Sequence, residues 1–385
     1  MRVESRWLTC ATACVLVACA AESGSGGVGG GAGTSSGVGG SAGTGNAATG
    51  GVGGVGAFGG NGGSGGLIIQ VDASLDANQT CAEAEVRPTR VIPTVVFLID
   101  GSRSMEMDYE TGVSRWHALR DAMLDPTDGV VRRLDGIVDF GMRIYNDAEA
   151  APGATQTCPT LIDVPAATAN ASNIATTFPN APPGFNTPTG VALDQLVRFL
   201  PTAAEATSLG LGPQLIVLAT DGVPYECVNW VTLDPPAVDE QSVLDAATLG
   251  VSRGVTTYVI SLAEATGTYA DHLNAVALAG GSQVAYSPAT RSALASRLTT
   301  IISSAVSCEV TLAGEIDTRR DDVCEGTVTL ELPAGDRDLG CDDPNGWRLV
   351  DASHIELTGQ ACTDYQTEPL AGLAAKFPCG LYMPE

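Results

Sequence analysis

Residues 94–104 read TVVFLIDGSRS. An apolar, mostly β-branched run, Val95 to Ile99, stops abruptly at Asp100, and Gly101, Ser102, Arg103 and Ser104 follow. A short apolar run closed by a turn signal predicts a strand buried on both faces. Such strands belong to parallel α/β sheets. In open α/β sheets, ligands bind just beyond the carboxyl ends of the strands. Asp100, Ser102 and Ser104 therefore fall where that architecture places its chemistry, and their hard oxygens suit Mg²⁺ or Ca²⁺.

Two further stretches carry the same signal. Residues 214–222, QLIVLATDG, form a second buried run ending at Asp221. Residues 184–193, GFNTPTGVAL, set Thr187 and Thr189 in a Gly/Pro loop before a helical stretch. Three distant segments thus deliver carboxylates and hydroxyls to strand ends and loops.

The Asp-x-Ser-x-Ser stretch, the Thr-Pro-Thr-Gly loop and the Thr-Asp-Gly turn, in that order, resemble the von Willebrand factor type A (vWA) domain. The resemblance covers residues 92–306. It implies a Rossmann-like fold, a mostly parallel sheet flanked by helices. It also implies a metal-ion-dependent adhesion site (MIDAS) holding Mg²⁺, or Mn²⁺ or Ca²⁺, through Asp100, Ser102, Ser104, Thr187 and Asp221. Thr189 is expected to support that set. Few anionic groups would touch the ion, so it would stay electrophilic and keep a position for an outside carboxylate. Arg103, between the two serines, departs from the small residue frequent in the family. It either attracts a partner carboxylate or is simply solvated.

The rest of that segment alternates strand and helix patterns. Strands are expected at Ile137–Tyr145, Gln214–Ala219, Thr256–Leu262 and Val284–Ser287, with Thr160–Val164 as a hairpin partner of the first. Helices are expected at Arg115–Leu124, Val191–Leu200, Val238–Val251, Tyr269–Ala279 and Arg291–Ser304. Alternation of this kind argues for a sheet covered on both faces.

Both ends of the chain differ from its middle. Arg2 and Arg6 precede a short apolar stretch, Leu8 to Ala18, too short to span a membrane. Residues 1–18 read as a signal peptide. Leu16-Val17-Ala18-Cys19 resembles a bacterial lipobox, which implies lipidation of Cys19. Ala20 in place of an Asp implies an outer-membrane anchor of a Gram-negative bacterium, so the protein is expected to be exported and held at the cell surface. Residues 19–80 are expected to form a tether, since 20–66 are almost wholly Gly and small residues and cannot bury enough apolar surface to order. About 60 such residues span roughly 40–45 Å root-mean-square. Residues 67–91 are transitional, with a short strand expected at Leu67–Val71.

Residues 308–385 hold five cysteines and short strand patterns at Val310–Leu312, Thr327–Leu332 and His354–Leu357. They read as a small disulfide-rich β module. Asp342, Asp343 and Asn345 do not follow the order of a calcium loop and are read as a turn. Of eleven cysteines, Cys10 and Cys14 leave with the signal and Cys19 carries lipid; the eight remaining suit an oxidising compartment. The pairings expected are Cys158–Cys227, Cys81–Cys308, Cys324–Cys341 and Cys362–Cys379.

With 19 Lys and Arg against 44 Asp and Glu, the net charge is −25. That argues against nucleic-acid binding and against a polybasic membrane surface. Contact with a membrane is expected through the lipid anchor alone. No GxSxG, HExxH or P-loop pattern occurs in the sequence, and His117, His272 and His354 lie on separate elements. No enzymatic activity is expected. The expectation is a surface module that binds a protein or glycan ligand through a metal-held carboxylate. The alternatives are a structural envelope component whose metal only stabilises, and the substrate-docking part of an enzyme.

Overall fold

The structure, a computed structural model, describes residues 83–88, 90–147, 157–227, 237–264, 266–378 and 380–384. The expected signal peptide, Cys19, the tether and the Leu67–Val71 strand lie outside the described residues.

A five-stranded sheet organises the larger part. Its order is Thr160–Ala167, Asp139–Asn146, Thr94–Asp100, Gln214–Thr220, Val255–Ser261. Thr160–Ala167 runs antiparallel to its neighbour, and the other pairings are parallel. All seven residues of Thr94–Asp100 are buried. Alternation splits them between two cores, because successive side chains point to opposite faces. Val95, Phe97 and Ile99 join one core with residues of the helices Arg115–Leu124 and Arg291–Ser303. Val96 and Leu98 join the other with residues of Thr189–Phe199, Glu240–Ser252 and Gly267–Ala279. The mostly parallel, doubly covered sheet is the architecture expected.

From Thr94–Asp100 the chain builds first to one side of the sheet and later to the other. The order reverses at that strand, so a crevice opens at its carboxyl end. The expected strand at Val284–Ser287 is only a bridge, Ile260 with Tyr286. Tyr286 N donates to the Val259 carbonyl at 2.9 Å and the Tyr286 carbonyl accepts from Ser261 N at 2.8 Å. One residue thus makes the pairing, too few to propagate a ladder.

The C-terminal part has its own core, including Trp347, Phe377, Tyr365 and Leu330. A four-stranded antiparallel sheet orders Glu83–Val86, Gly372–Pro378, Thr327–Glu331 and Arg337–Leu339. Its first strand therefore comes from the segment that precedes the larger sheet. A second sheet joins Trp347–Asp351, His354–Leu357 and Glu309–Thr311. The module also contains a helix, Gly359–Thr367, where only strands were expected. Arg90 ties the entry segment to it. Its guanidinium donates to the Tyr365 carbonyl at 2.7 Å and lies 4.1 Å above the Tyr365 ring.

The described disulfides are Cys158–Cys227, Cys324–Cys341 and Cys308–Cys362. Cys308–Cys362 corrects both the expected Cys81–Cys308 and the expected Cys362–Cys379. The reason is strand pairing. Glu309 pairs with Glu356, and the Cys308 carbonyl accepts from Leu357 N at 2.9 Å. The following helix then carries Cys362 back over Cys308. Cys81 and Cys379 themselves lie outside the described residues.

Candidate metal-binding site

The site forms where Thr94–Asp100 ends. Gly101 turns the chain tightly there: its N–H donates to the Tyr145 carbonyl at 2.8 Å, and a Cβ on it would stand 2.9 Å from Ile144 Cγ2. Only a residue without a side chain passes so close to the neighbouring strand. One turn of 3₁₀ helix, Arg103–Glu106, follows, with Ser102 before it. Ser102 is extended and the chain turns just after it, and Ser102 Oγ and Ser104 Oγ lie 2.9 Å apart.

Asp100 is completely buried. Its Oδ1 accepts from Ser102 N–H at 2.9 Å, and its Oδ2 accepts from Thr220 Oγ1 at 2.8 Å. Asp221 lies one residue beyond Thr220, at the end of the adjacent strand. Its Oδ1 accepts from Ser104 Oγ at 2.6 Å. Since Ser104 gives its one proton to Asp221, Ser102 is the donor between the two serines.

Thr187 arrives from the third segment. Gly184 N donates to the Gly101 carbonyl at 2.9 Å and anchors that loop to the first. The Thr187 carbonyl accepts from Thr189 N at 2.8 Å and from Tyr225 N at 3.0 Å. Thr189 is held in turn by the buried Tyr145, the two hydroxyls lying 2.9 Å apart. Thr187 Oγ1 and Ser104 Oγ both lie close to Gly222. A Cβ there would stand 3.6 Å from the first and 3.8 Å from the second. The three segments therefore meet, with Asp100, Ser102, Ser104 and Asp221 in one hydrogen-bonded chain and Thr187 at its edge.

The electrostatics suit a cation. Burial, and then the neighbouring Asp221 carboxylate, push the Asp100 carboxyl up to about 7, against the hydrogen bonds from Ser102 and Thr220. The protein thus places two acidic side chains where like charge makes ionising both costly. Three neutral hydroxyls beside them complete an all-oxygen donor set. Hard divalent ions take that set, and a soft ion would want sulfur or nitrogen. The residues present fit Mg²⁺, Mn²⁺ or Ca²⁺. A second cluster, Cys324, Cys341 and Asp342, does not, because both its sulfurs are spent in a disulfide.

Arg115, Thr220 and Tyr145 are the site residues that the sequence did not expose. Arg115 Nη1 donates to Asp221 Oδ2 at 2.6 Å, and the Asp221 side chain is fully buried. Thr220 stood inside the Thr-Asp-Gly turn, and only its contact with Asp100 shows its role. Arg103 is exposed and lies over the Phe185 ring, 4.1 Å from the centroid.

No family model matches the chain, and no curated protein does either. Solved structures with a similar chain trace include the pilus adhesin SpaC from Lactobacillus rhamnosus GG, at 15% identity and TM-score 0.44, covering 77% of this chain and 41% of that one. The SpRpn10 VWA domain is similar at 16% identity and TM-score 0.36, covering 55% and 95%. Manganese-loaded TRAP protein from Plasmodium vivax is similar at 16% identity and TM-score 0.30, covering 47% and 61%. The chain spans about two fifths of the adhesin's length. At these identities and scores no function is taken from the likeness.

Proposed function

We propose that this chain is a surface-anchored binding protein, not an enzyme, whose α/β part holds a divalent cation at the end of its central strand. Asp100, Ser102, Ser104, Thr187 and Asp221 would hold the ion, Mg²⁺ or Mn²⁺ before Ca²⁺ because the donors sit on short, tightly bonded loops. The observation that carries this reading is the convergence of those five residues from three segments. When bound, the ion supplies a Lewis-acid position for an outside oxygen. The chain's own residues fix the donors and keep most of them neutral. A carboxylate on a protein or glycan ligand is the chemistry that would fill the open position. The lipobox-like Leu16-Val17-Ala18-Cys19 and the Gly-rich stretch support an exported, lipid-anchored protein held off the outer membrane. The disulfides accord with an oxidising compartment. Among the described residues, no helix is long and apolar enough to cross a membrane.

Calorimetric titration of the chelator-treated protein with MgCl₂ and MnCl₂ tests the reading. Saturable heat is expected for the native chain and none for Asp100→Ala. Equal heat from both proteins would place the binding elsewhere. Partner capture from surface extracts should be lost in EDTA; capture indifferent to EDTA would favour a structural role.

A further inference from the structure

We propose that Arg115 is an internal counter-ion which sets the metal affinity of this site. It holds the Asp221 carboxylate while no cation is bound, and it opposes the ion that enters. The inference rests on the metal-binding reading above and names the residue that tunes it.

Four observations carry it. First, both Asp221 oxygens are engaged from inside the protein: Oδ1 takes the Ser104 hydroxyl and Oδ2 takes Arg115 Nη1, both at 2.6 Å. Second, the pair is shielded from solvent, with the Arg115 side chain 14% exposed and the Asp221 side chain 0%. A positive charge so placed is poorly screened and acts strongly on a nearby ion. Third, helix stability does not explain an arginine at this position. Arg115 is the first residue of Arg115–Leu124, where the helix dipole disfavours a cation, and the first turn holds no acidic residue to offset it. Fourth, the grip is one-pronged. Nη1 makes the contacts, to Asp221, to the Ser104 carbonyl at 3.4 Å and to Met107 Sδ at 3.7 Å, while the buried Nε has no partner. A bidentate arginine would lock the carboxylate in one orientation. A single contact leaves Asp221 able to turn towards an ion.

The guanidinium brings a full positive charge to the site. A divalent cation must therefore bind against a fixed positive charge, and more weakly than five oxygen donors alone would allow. An outside carboxylate then does two things: it ligates the ion, and it adds the negative charge that Arg115 has withdrawn.

The test is calorimetry of the full chain, chelator-treated and titrated with MgCl₂, together with melting curves with and without Mg²⁺. R115M is expected to bind Mg²⁺ at least about tenfold more tightly than the native protein. It should also melt lower without metal and recover more on adding Mg²⁺. R115K, which keeps the charge, should stay within about threefold of the native affinity. Unchanged or weaker binding by a folded R115M overturns the proposal and makes Arg115 a residue that merely orients Asp221. A native protein that gives no heat beside an R115M that does supports it in its strongest form. Silence from both folded proteins overturns the metal-binding reading, and this inference with it. If R115M does not fold, R115Q, which keeps an N–H for Asp221 without the charge, is read by the same criteria.

Discussion

Ser104 donates to Asp221 at 2.6 Å across 117 residues of sequence. That bond joins the loop after one strand to the end of the next strand in the sheet. It holds a hydroxyl and a carboxylate side by side, next to Ser102, whose N–H donates to Asp100.

In the proposed site Asp100 would supply charge for the cation, yet burial favours its neutral form. Asp100→Asn should therefore abolish Mg²⁺ binding while leaving the metal-free fold almost unchanged. The amide oxygen can still accept from Ser102 N–H, and the Thr220 hydroxyl can rotate to accept from the amide nitrogen. The expected stability change is within about 1 kcal/mol, read from urea unfolding in EDTA. A loss of several times that amount would mean that Asp100 holds the fold together as a carboxylate.

The same burial gives metal-free protein a pH dependence of definite sign. The Asp100 carboxyl sits at about 7 when folded, against an ordinary value of 3.8. Between those values the folded state binds the extra proton. Its contribution to stability is present at low pH and is lost as pH rises through that window. In EDTA, native protein should lose more melting temperature between pH 5 and pH 8 than Asp100→Asn does. Mg²⁺ competes with that proton, so its affinity should rise over the same range. Parallel melting profiles for the two proteins would contradict this.

Cys158–Cys227 closes a loop with a sequence separation of 69, and Cys227 lies six residues beyond Asp221. By the chain-entropy relation, its loss costs about 4 kcal/mol. The double variant C158S/C227S should show an unfolding midpoint lowered accordingly and a weaker response to Mg²⁺. An unfolding free energy within about 1 kcal/mol of native would mean that the unfolded chain is not constrained as that relation assumes.

Gly190 packs one helix against another. A Cβ there would stand 1.8 Å from Ser242 Oγ and 2.7 Å from Ser242 Cβ. The hydroxyl can rotate away, but the Cβ cannot. Overpacking of about 1–3 kcal/mol then exceeds the gain of about 1 kcal/mol in helix propensity. Gly190→Ala should lower the denaturant midpoint, and because Thr189 and Thr187 precede it, it should weaken Mg²⁺ binding as well. A raised midpoint would show that the two helices separate at little cost.

Much of the architecture is legible in the sequence. The apolar runs at Val95–Ile99 and Gln214–Ala219 are buried strands, because a residue excluded from water on both faces of a sheet must be apolar wherever it lies. Arg115–Leu124 is the helix expected, and the Ser114 side chain caps its start by accepting from His117 N. Val284–Ser287 has strand composition, but Tyr286 alone pairs, since strand propensity states a preference and not a partner. The strand Glu83–Val86 carried no strand signal of its own. It exists because Gly372–Pro378 offers it an edge to pair with.

The sequence by itself determined the doubly covered sheet, the composition of the oxygen-rich loops and the acidic, cysteine-bearing character of the chain. Those depend on residue type and local spacing, which a linear reading contains. The tertiary structure decided the rest: that Cys308 meets Cys362, that Thr220 clamps Asp100, and that Arg115 occupies Asp221. Each of these is a contact between residues remote in sequence, brought about by strand register and helix packing. Linear spacing does not encode it, because the same side chains in another register would meet other partners.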